Sequence, residues 1–456
     1  MFDCRGQAMR PLDGEVRRVH DVVGIGFGPS GLALGIAIEE HNATVGAEQA
    51  ITATFVERQP RFGWHRGMLL PGTTMQVSFL KDLATLRNPH STFSFVSYLH
   101  AAGRLVDFIN GKSLFPSRIE FHGYLEWIAE RLEHLVAYDR EVVEILPVHD
   151  GASVAAFDVV TRAADGEITV TRGRNIVIAT GLEPSLPHGI ERSARVWHTS
   201  ELLPRLATFE ADRPRRFVVV GAGQSAAEAT EHLHDRFADA EICSVFSRYG
   251  YSPADDSPFA NRIFDPAAVD TYFAAGDDAK RMLVDYHANT NYSVVDLELL
   301  QELYRRSYQE KVRGIERLRW INVSRVTDVH ETGDDVVAVI RSLADGETSM
   351  LRADAIVFAT GYTPSSASAL LGGLDALCLH DAQGELSLRR DYRVETAPAV
   401  TGGIYVQGTS QHLHGLSSSL LSNTAVRAGE ILQSLLDERP ATAAPSTPDL
   451  AVASHV

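Results

Sequence analysis

Four short apolar runs punctuate the chain: Asp21 to Ile25, Asn175 to Ala179, Phe217 to Val220 and Ala355 to Ala359. Each is too short for a helix, and amphipathic stretches of helical period alternate with them. That alternation predicts an α/β fold, with strands of parallel sheet covered by helices. Two of the runs pass straight into glycine loops and then into helix patterns. Gly26-Phe-Gly28-Pro29-Ser30-Gly31 leads into LALGIAIEE, and Gly221-Ala-Gly223-Gln224-Ser225-Ala226 leads into AEATEHLHDRF. The other two runs end alike, in Ala-Thr-Gly181-Leu-Glu-Pro184 and Ala-Thr360-Gly361-Tyr362-Thr-Pro364. A strand ending in Thr-Gly lets a ligand approach the backbone at the carboxyl edge of the sheet, and the proline stops the strand.

Strand, G-x-G-x-x-G loop and helix, in that order, make a cradle for a dinucleotide. The first glycine permits the turn, and the second lets the backbone come close to a pyrophosphate. The third lets the helix pack on the strand, so that the phosphates meet free N–H groups at the helix N-terminus. In the second loop Ala226 takes the third place, a recognised variant. The strand after the first loop, Ile51 to Val56, ends in Glu57, whose carboxylate suits a ribose hydroxyl. The strand after the second, Glu241 to Phe246, ends in Ser247-Arg248, and a cation there suits the 2′-phosphate of NADP, which Glu57 would repel. The loops lie 195 residues apart. They predict FAD on the first, NADPH on the second, and hydride transfer between them.

Composition narrows the remaining classes. A net charge of −17 disfavours nucleic acid and anionic membrane surfaces as partners. No apolar run approaches the ~20 residues of a membrane span, and Met1 to His20 shows no secretory signal, so the cytoplasm is the expected compartment. Cys4, Cys243 and Cys378 have neither CxxC nor zinc spacing, which argues against a disulfide framework, a dithiol redox site and structural zinc. His412-Leu-His414 lacks a third ligand, so no metal is expected. Tyr304-Arg-Arg-Ser-Tyr308 reads as a solvated helix face.

Further blocks are more distinctive. They are Gly63-Trp64-His65-Arg-Gly-Met68; Met75-Gln76-Val-Ser-Phe-Leu-Lys81-Asp-Leu-Ala-Thr-Leu-Arg-Asn-Pro89; Phe115-Pro-Ser-Arg118; Asp255-Asp-Ser-Pro-Phe-Ala-Asn261; Asn289-Thr-Asn291-Tyr-Ser-Val-Val295; and His414-Gly-Leu416-Ser417-Ser-Ser419-Leu-Leu-Ser422. In their order and spacing the chain resembles the flavin-dependent N-hydroxylating monooxygenases, specifically the L-ornithine N5-hydroxylases, from about Asp21 to about Leu436.

The resemblance implies a class B flavin monooxygenase with FAD and NADPH as cofactors and L-ornithine and O2 as substrates. A C4a-hydroperoxyflavin would give one oxygen atom to the neutral side-chain amine, yielding N5-hydroxy-L-ornithine for siderophore or related biosynthesis. It implies Lys81, Asn261, Asn291 and Ser419 around the substrate, and Trp64, His65, Gln76, Arg118, Leu416 and Ser417 beside the flavin, together with Gly26, Gly28, Pro29, Ser30, Gly31 and Glu57. Gly221, Gly223, Gln224, Ser225, Arg248, Thr360, Gly361 and Tyr362 would serve NADPH. A Lys ammonium pairs with the α-carboxylate, and Asn carbonyls accept from the α-ammonium. Trp64 and Arg118 also fit core packing and a salt bridge.

No residue stands out as a general base. The substrate amine, with an ordinary pKa near ~10.4, must be freed of its proton by other means. Relatives often carry Arg where this chain has Ser247, and Ala194 replaces the glycine of the FxGxxxH fingerprint of flavin-containing and Baeyer-Villiger monooxygenases. Lysine N6-hydroxylation is the close rival, because one methylene is worth only about 1–3 kcal/mol in a pocket. A non-hydroxylating FAD/NADPH oxidase and a flavin sensor are further alternatives. The expected layout is an FAD domain over 20–205 and 346–437, an NADPH domain over 206–345 with a mostly helical substrate region near 255–310, and tails at 1–19 and 438–456. Relatives suggest a homo-oligomer, a dimer or tetramer.

Overall fold

The computed structural model describes residues 18–209, 214–333 and 335–439. Cys4 and most of both expected tails lie outside the described residues. The chain opens with β1 (Val19–Ile25), a helix Pro29–Asn42 and β2 (Ala53–Val56). The helix is wedged between the sheet and the C-terminal helix Thr424–Asp437, and all eight residues from Gly31 to Ile38 are buried, which is why its sequence is apolar on every side. After β3 (Val136–Ala137), an antiparallel meander of β4 (Glu141–Asp150) and β5 (Ser153–Arg162) leads into β6 (Ile168–Ile178). In this first sheet β3, β2, β1 and β6 run parallel in that order.

The chain then crosses through β7 (Leu182–Pro184) into a second, wholly parallel sheet. This sheet holds β8 (Val196–His198), β9 (Arg216–Val220), β10 (Glu241–Val245), β11 (Leu318–Ile321) and, after the antiparallel meander β12 (Ser324–Thr332), β13 (Asp335–Ser342) and β14 (Thr348–Ala353), also β15 (Ala355–Phe358). Its order is β11-β10-β9-β15-β8. The chain returns through β16 (Tyr362–Pro364), and β17 (Gly403–Val406) completes the first sheet against β6. The fold is α/β with two Rossmann-like units.

The two crossing segments pair with each other, β7 antiparallel to β16, so the repeated Ala-Thr-Gly…Pro motifs form one two-stranded link between the units. Ser185 N–H donates to Gly361 O at 3.0 Å, and Ser365 N–H donates to Gly181 O at 3.2 Å. The second unit starts before the expected boundary near 205 and runs past that near 346, because β8 and β15 pair within the second sheet and β14 pairs with β13. Val19, expected in the leader, starts β1. Glu438 and Arg439, expected in the C-terminal tail, are anchored: Glu438 pairs with Arg389 and Arg393, and Arg439 donates to Gln49 O and Ala50 O.

A buried ion pair also ties the units together. Arg118 begins the helix Arg118–Arg131 on the first unit, and its Nη atoms reach Glu228 of the second unit's helix Gln224–Arg236 at 2.7 and 2.8 Å. The Glu228 side chain is 1% exposed. Removing one partner of a buried pair leaves the other charge desolvated and alone. Glu228→Ala is therefore expected to cost about 3–5 kcal/mol, and an unchanged midpoint in urea unfolding would refute that.

Candidate active site

Each glycine loop is built the same way. Gly26 has φ +95°, and a Cβ placed on it would stand 2.5 Å from the carbonyl oxygen of Ala179. Gly221 has φ +142°, and its Cβ would stand 2.5 Å from Ala359 O. In both units the strand that ends in Ala-Thr-Gly runs directly beside the loop, with Ala179 N–H on Ile25 O and Ala359 N–H on Val220 O, both at 2.8 Å. No side chain fits between them. Gly31 is fixed likewise, because its Cβ would meet Gly26 O at 2.5 Å.

Gly28 differs, since a Cβ there meets nothing within 4 Å. It is the N-cap of the helix Pro29–Asn42, with no side-chain cap and no acid in the first turn, so the helix's free N–H groups and positive dipole end face open space. Those features fit a pyrophosphate. Gly223 caps the helix Gln224–Arg236 in the same manner, with its would-be Cβ 3.4 Å from Ser293 Cα. The donors at both loops, Gly26 to Gly31 and Gly221 to Ala226, fit anionic dinucleotides.

Glu57 is buried, and each of its oxygens accepts one backbone N–H: Phe27 at 2.8 Å and Gln59 at 2.9 Å. It braces the first loop and retains lone pairs for a ribose hydroxyl. Ser30 lies beside Gly408, just beyond β17. Close by in the chain, several buried groups have no hydrogen-bond partner among the described residues: both amide atoms of Gln407 and of Asn423, and the hydroxyls of Ser410 and Ser418. Buried polar atoms are normally satisfied, so this cluster is chemistry suited to a polar cofactor. Arg427, fully buried, donates to Ser418 O at 2.5 Å and to Ser417 O at 3.5 Å, fixing the 3₁₀ turn Leu416–Ser419.

At the link, Tyr362 lies edge-on to both His65 and His198, with ring centroids 5.5 and 4.9 Å away. Burial pushes its phenol up to about 12. His65 adopts φ +49° beside Tyr362. The surrounding protein, then Arg118 and His198, lowers its pKa to about 4, so the ring is neutral at pH 7. Trp64 packs its ring near Phe121, and Gln76 is exposed.

Arg118, expected beside the flavin or in a salt bridge, has its donors on Glu228 and Met68 O. Thr360 and Gly361, expected at NADPH, are engaged in the link: Thr360 donates to Ser185 O, and Gly361 O receives Ser185 N–H and contacts His198 Nε2.

The residues expected at the substrate come from segments of which several are brought together by the fold. The 252–261 and 289–295 stretches pair at Pro253 and Val295, and Asp255 N–H donates to Asn289 O at 3.0 Å. They carry Asn261 and Asn291. The short helix Ala260–Phe264, with Asn261, packs on Leu416–Ser419, and Tyr292 donates to Gln411 Oε1 at 2.7 Å. The same stretch closes on the second loop: Gln224 Oε1 accepts Asp296 N–H at 2.7 Å, and Arg248 donates to Ser293 O at 2.9 Å. The 289–296 stretch, which carries Asn291, thus lies against Gln224 and Arg248.

Lys81 sits on a separate segment of the first unit, anchored by buried Asp82, which accepts N–H groups from Ala84, Thr85 and Phe95. Its ammonium has no partner among the described residues. Sequence reasoning missed Glu228, Gln407 and Arg427. A glutamate four residues after Gln224, amid alanines, was the one available signal.

His414 stacks on Tyr392 and, like His412, contacts a backbone carbonyl, and no cluster among the described residues is placed to hold a metal. Cys243 and Cys378 are buried free thiols whose pKa values burial raises to about 12 and about 11, so both are inert. No described helix is long and apolar enough to cross a membrane.

Comparison with known proteins places this architecture. The family model described as L-lysine 6-monooxygenase/L-ornithine 5-monooxygenase matches residues 18–364. An L-ornithine N(5)-monooxygenase from Pseudomonas aeruginosa is 38% identical over 443 residues, covering 96% of this chain and 98% of the relative. An ornithine N-hydroxylase from Kutzneria sp. 744, solved with reduced FAD, NADP+ and L-ornithine, is 47% identical with a TM-score of 0.88, covering 92% of this chain and 99% of that one. An L-lysine 6-monooxygenase from Pseudomonas syringae is 33% identical with a TM-score of 0.81, covering 92% and 99%. On the match to that model and the identity held over nearly its whole length, this protein belongs to the L-lysine 6-monooxygenase/L-ornithine 5-monooxygenase family.

Proposed function

We propose that this protein is an FAD- and NADPH-dependent L-ornithine N5-monooxygenase. NADPH, O2, a proton and L-ornithine go to NADP+, water and N5-hydroxy-L-ornithine. The observation that carries the reading is the meeting of the Asn261, Asn291 and Ser419 segments beside a second glycine loop, in a chain alike over its length to enzymes named for ornithine. Bound FAD, reduced by NADPH, supplies the activation of O2. The chain supplies position, dryness and charge.

Lys81 is the anchor for the α-carboxylate, its ammonium being free of competing acids among the described residues. Asn261 and Asn291 accept from the α-ammonium; the Asn261 amide is itself oriented by donating to Asp256 O at 2.8 Å. With both α-groups held, the side-chain amine is directed into the pocket, where desolvation lowers its pKa by up to roughly 3–5 units and frees its lone pair. No side chain has to act as base. Arg248, exposed apart from its bond to Ser293 O, offers its remaining donors to a 2′-phosphate. The setting is the cytoplasm, and the chain acts as a homo-oligomer.

Three measurements test this. The purified holoprotein, given NADPH and O2, is expected to form hydroxylamine with L-ornithine and little with L-lysine; the reverse preference would overturn the substrate. Lys81→Ala is expected to raise the KM for ornithine by about tenfold or more at unchanged FAD content, as loss of a charge-assisted bond of ~1.5–3 kcal/mol requires. Arg248→Ala should erode a wild-type preference for NADPH over NADH, and equal use of both by the wild type would remove Arg248 from the phosphate site.

A further inference from the structure

A continuous chain of hydrogen bonds crosses from the first unit into the second. Arg118 donates to Met68 O at 3.0 Å, at the end of the block that carries Trp64 and His65, and to both oxygens of Glu228. Glu228 Oε1 also accepts from Gln224 Nε2 at 3.0 Å, and Gln224 Oε1 accepts Asp296 N–H at 2.7 Å. Asp296 in turn caps the helix Leu297–Arg313, its Oδ1 accepting from Glu298 N–H and Leu299 N–H. The chain therefore ends on the 289–296 stretch, which carries Asn291.

Every link has one allowed polarity. A guanidinium and a backbone N–H only donate, and an ionised carboxylate only accepts. The Gln224 amide is the one group able to turn over, and its two neighbours forbid it. Turned, it would set its NH2 against Asp296 N–H and its oxygen against the Glu228 carboxylate. Glu228 is 2% exposed, so bulk water does not relieve such a mismatch. Gln224, expected at NADPH, thus has both ends of its amide engaged by the protein. Arg248 and the bridge between Pro253 and Val295 also grip the stretch, but from within the second unit. The chain through Gln224, Glu228 and Arg118 ties it to the first.

We infer that Glu228 and Gln224 are positioning residues for the substrate: through the polarity of this chain they hold the 289–296 stretch, and with it Asn291, in place against the Trp64–Met68 block of the first unit. The inference rests on the proposed function for the role of Asn291, whereas the hold itself is independent of the chemistry.

Hydrogen–deuterium exchange of the 289–299 peptide in the FAD-loaded protein, each variant set against wild type at the same pH, reads the hold. The KM for ornithine at saturating NADPH reads its use. Gln224→Met, which removes both ends of the amide, is expected to speed exchange at every pH and to raise KM about fivefold, the size of one lost hydrogen bond. Gln224→Glu sets two carboxylates side by side. Protonated, the new group donates to Glu228 and still accepts Asp296 N–H; ionised, it is repelled. This variant is expected to match wild type at about pH 6 and to lose the hold by about pH 9.

Adding Glu228→Gln should restore the hold at the higher pH, because the amide then at 228 donates to the carboxylate at 224, although that change by itself weakens the Arg118 pair. A purely structural role predicts the opposite, two losses that add. Wild-type exchange in Gln224→Met, a Gln224→Glu variant that does not change across this pH range, or a double variant as loose as Gln224→Glu at the higher pH would overturn the inference. A loosened stretch with an unchanged KM would sever it from the substrate. Should the wild type form no hydroxylamine with ornithine, the proposed function falls, and the exchange measurement still decides the hold.

Discussion

The architecture depends on one close approach made twice. In each unit the first loop glycine lies against the carbonyl of an alanine that ends the neighbouring strand, Gly26 on Ala179 and Gly221 on Ala359, with room for no side chain. That contact holds the loop at the carboxyl edge of a parallel sheet and aims the free N–H groups of the following helix outward. It also fixes where the chain leaves each sheet. Because the two strand ends continue into β7 and β16, the constraint that shapes the nucleotide cradles also shapes the link between them.

Around that frame, burial of polar groups is concentrated where chemistry is expected. Glu57 is buried to hold the first loop, and Glu228 to receive Arg118 across the units. Arg427 is buried to hold the carbonyls of Ser417 and Ser418. Each such charge is costly away from water unless it is well bonded, so these residues give rigidity at the cleft rather than bulk stability.

Much of this was legible in the chain itself. Strand, glycine loop and helix are local patterns, and their period and spacing suffice to give two dinucleotide cradles and an α/β class. The paired Ala-Thr-Gly…Pro motifs were legible as an echo but not as partners, because antiparallel pairing of segments some 180 residues apart is a property of topology. The boundaries drifted for the same reason: β8 and β15 join the second sheet by register, which no run of residues announces. Arg118 could be read as a cation near the flavin, yet its Glu228 partner lies 110 positions away and became visible only when the two helices met.

The sequence alone determined the two glycine loops with their strands and helices, and the place of Glu57 and Arg248 after the following strands, since each depends on residue type and short spacing. Tertiary structure alone decided which loop faces which segment and which buried charges are paired. Those are matters of distance between parts remote in the chain, and only packing sets them.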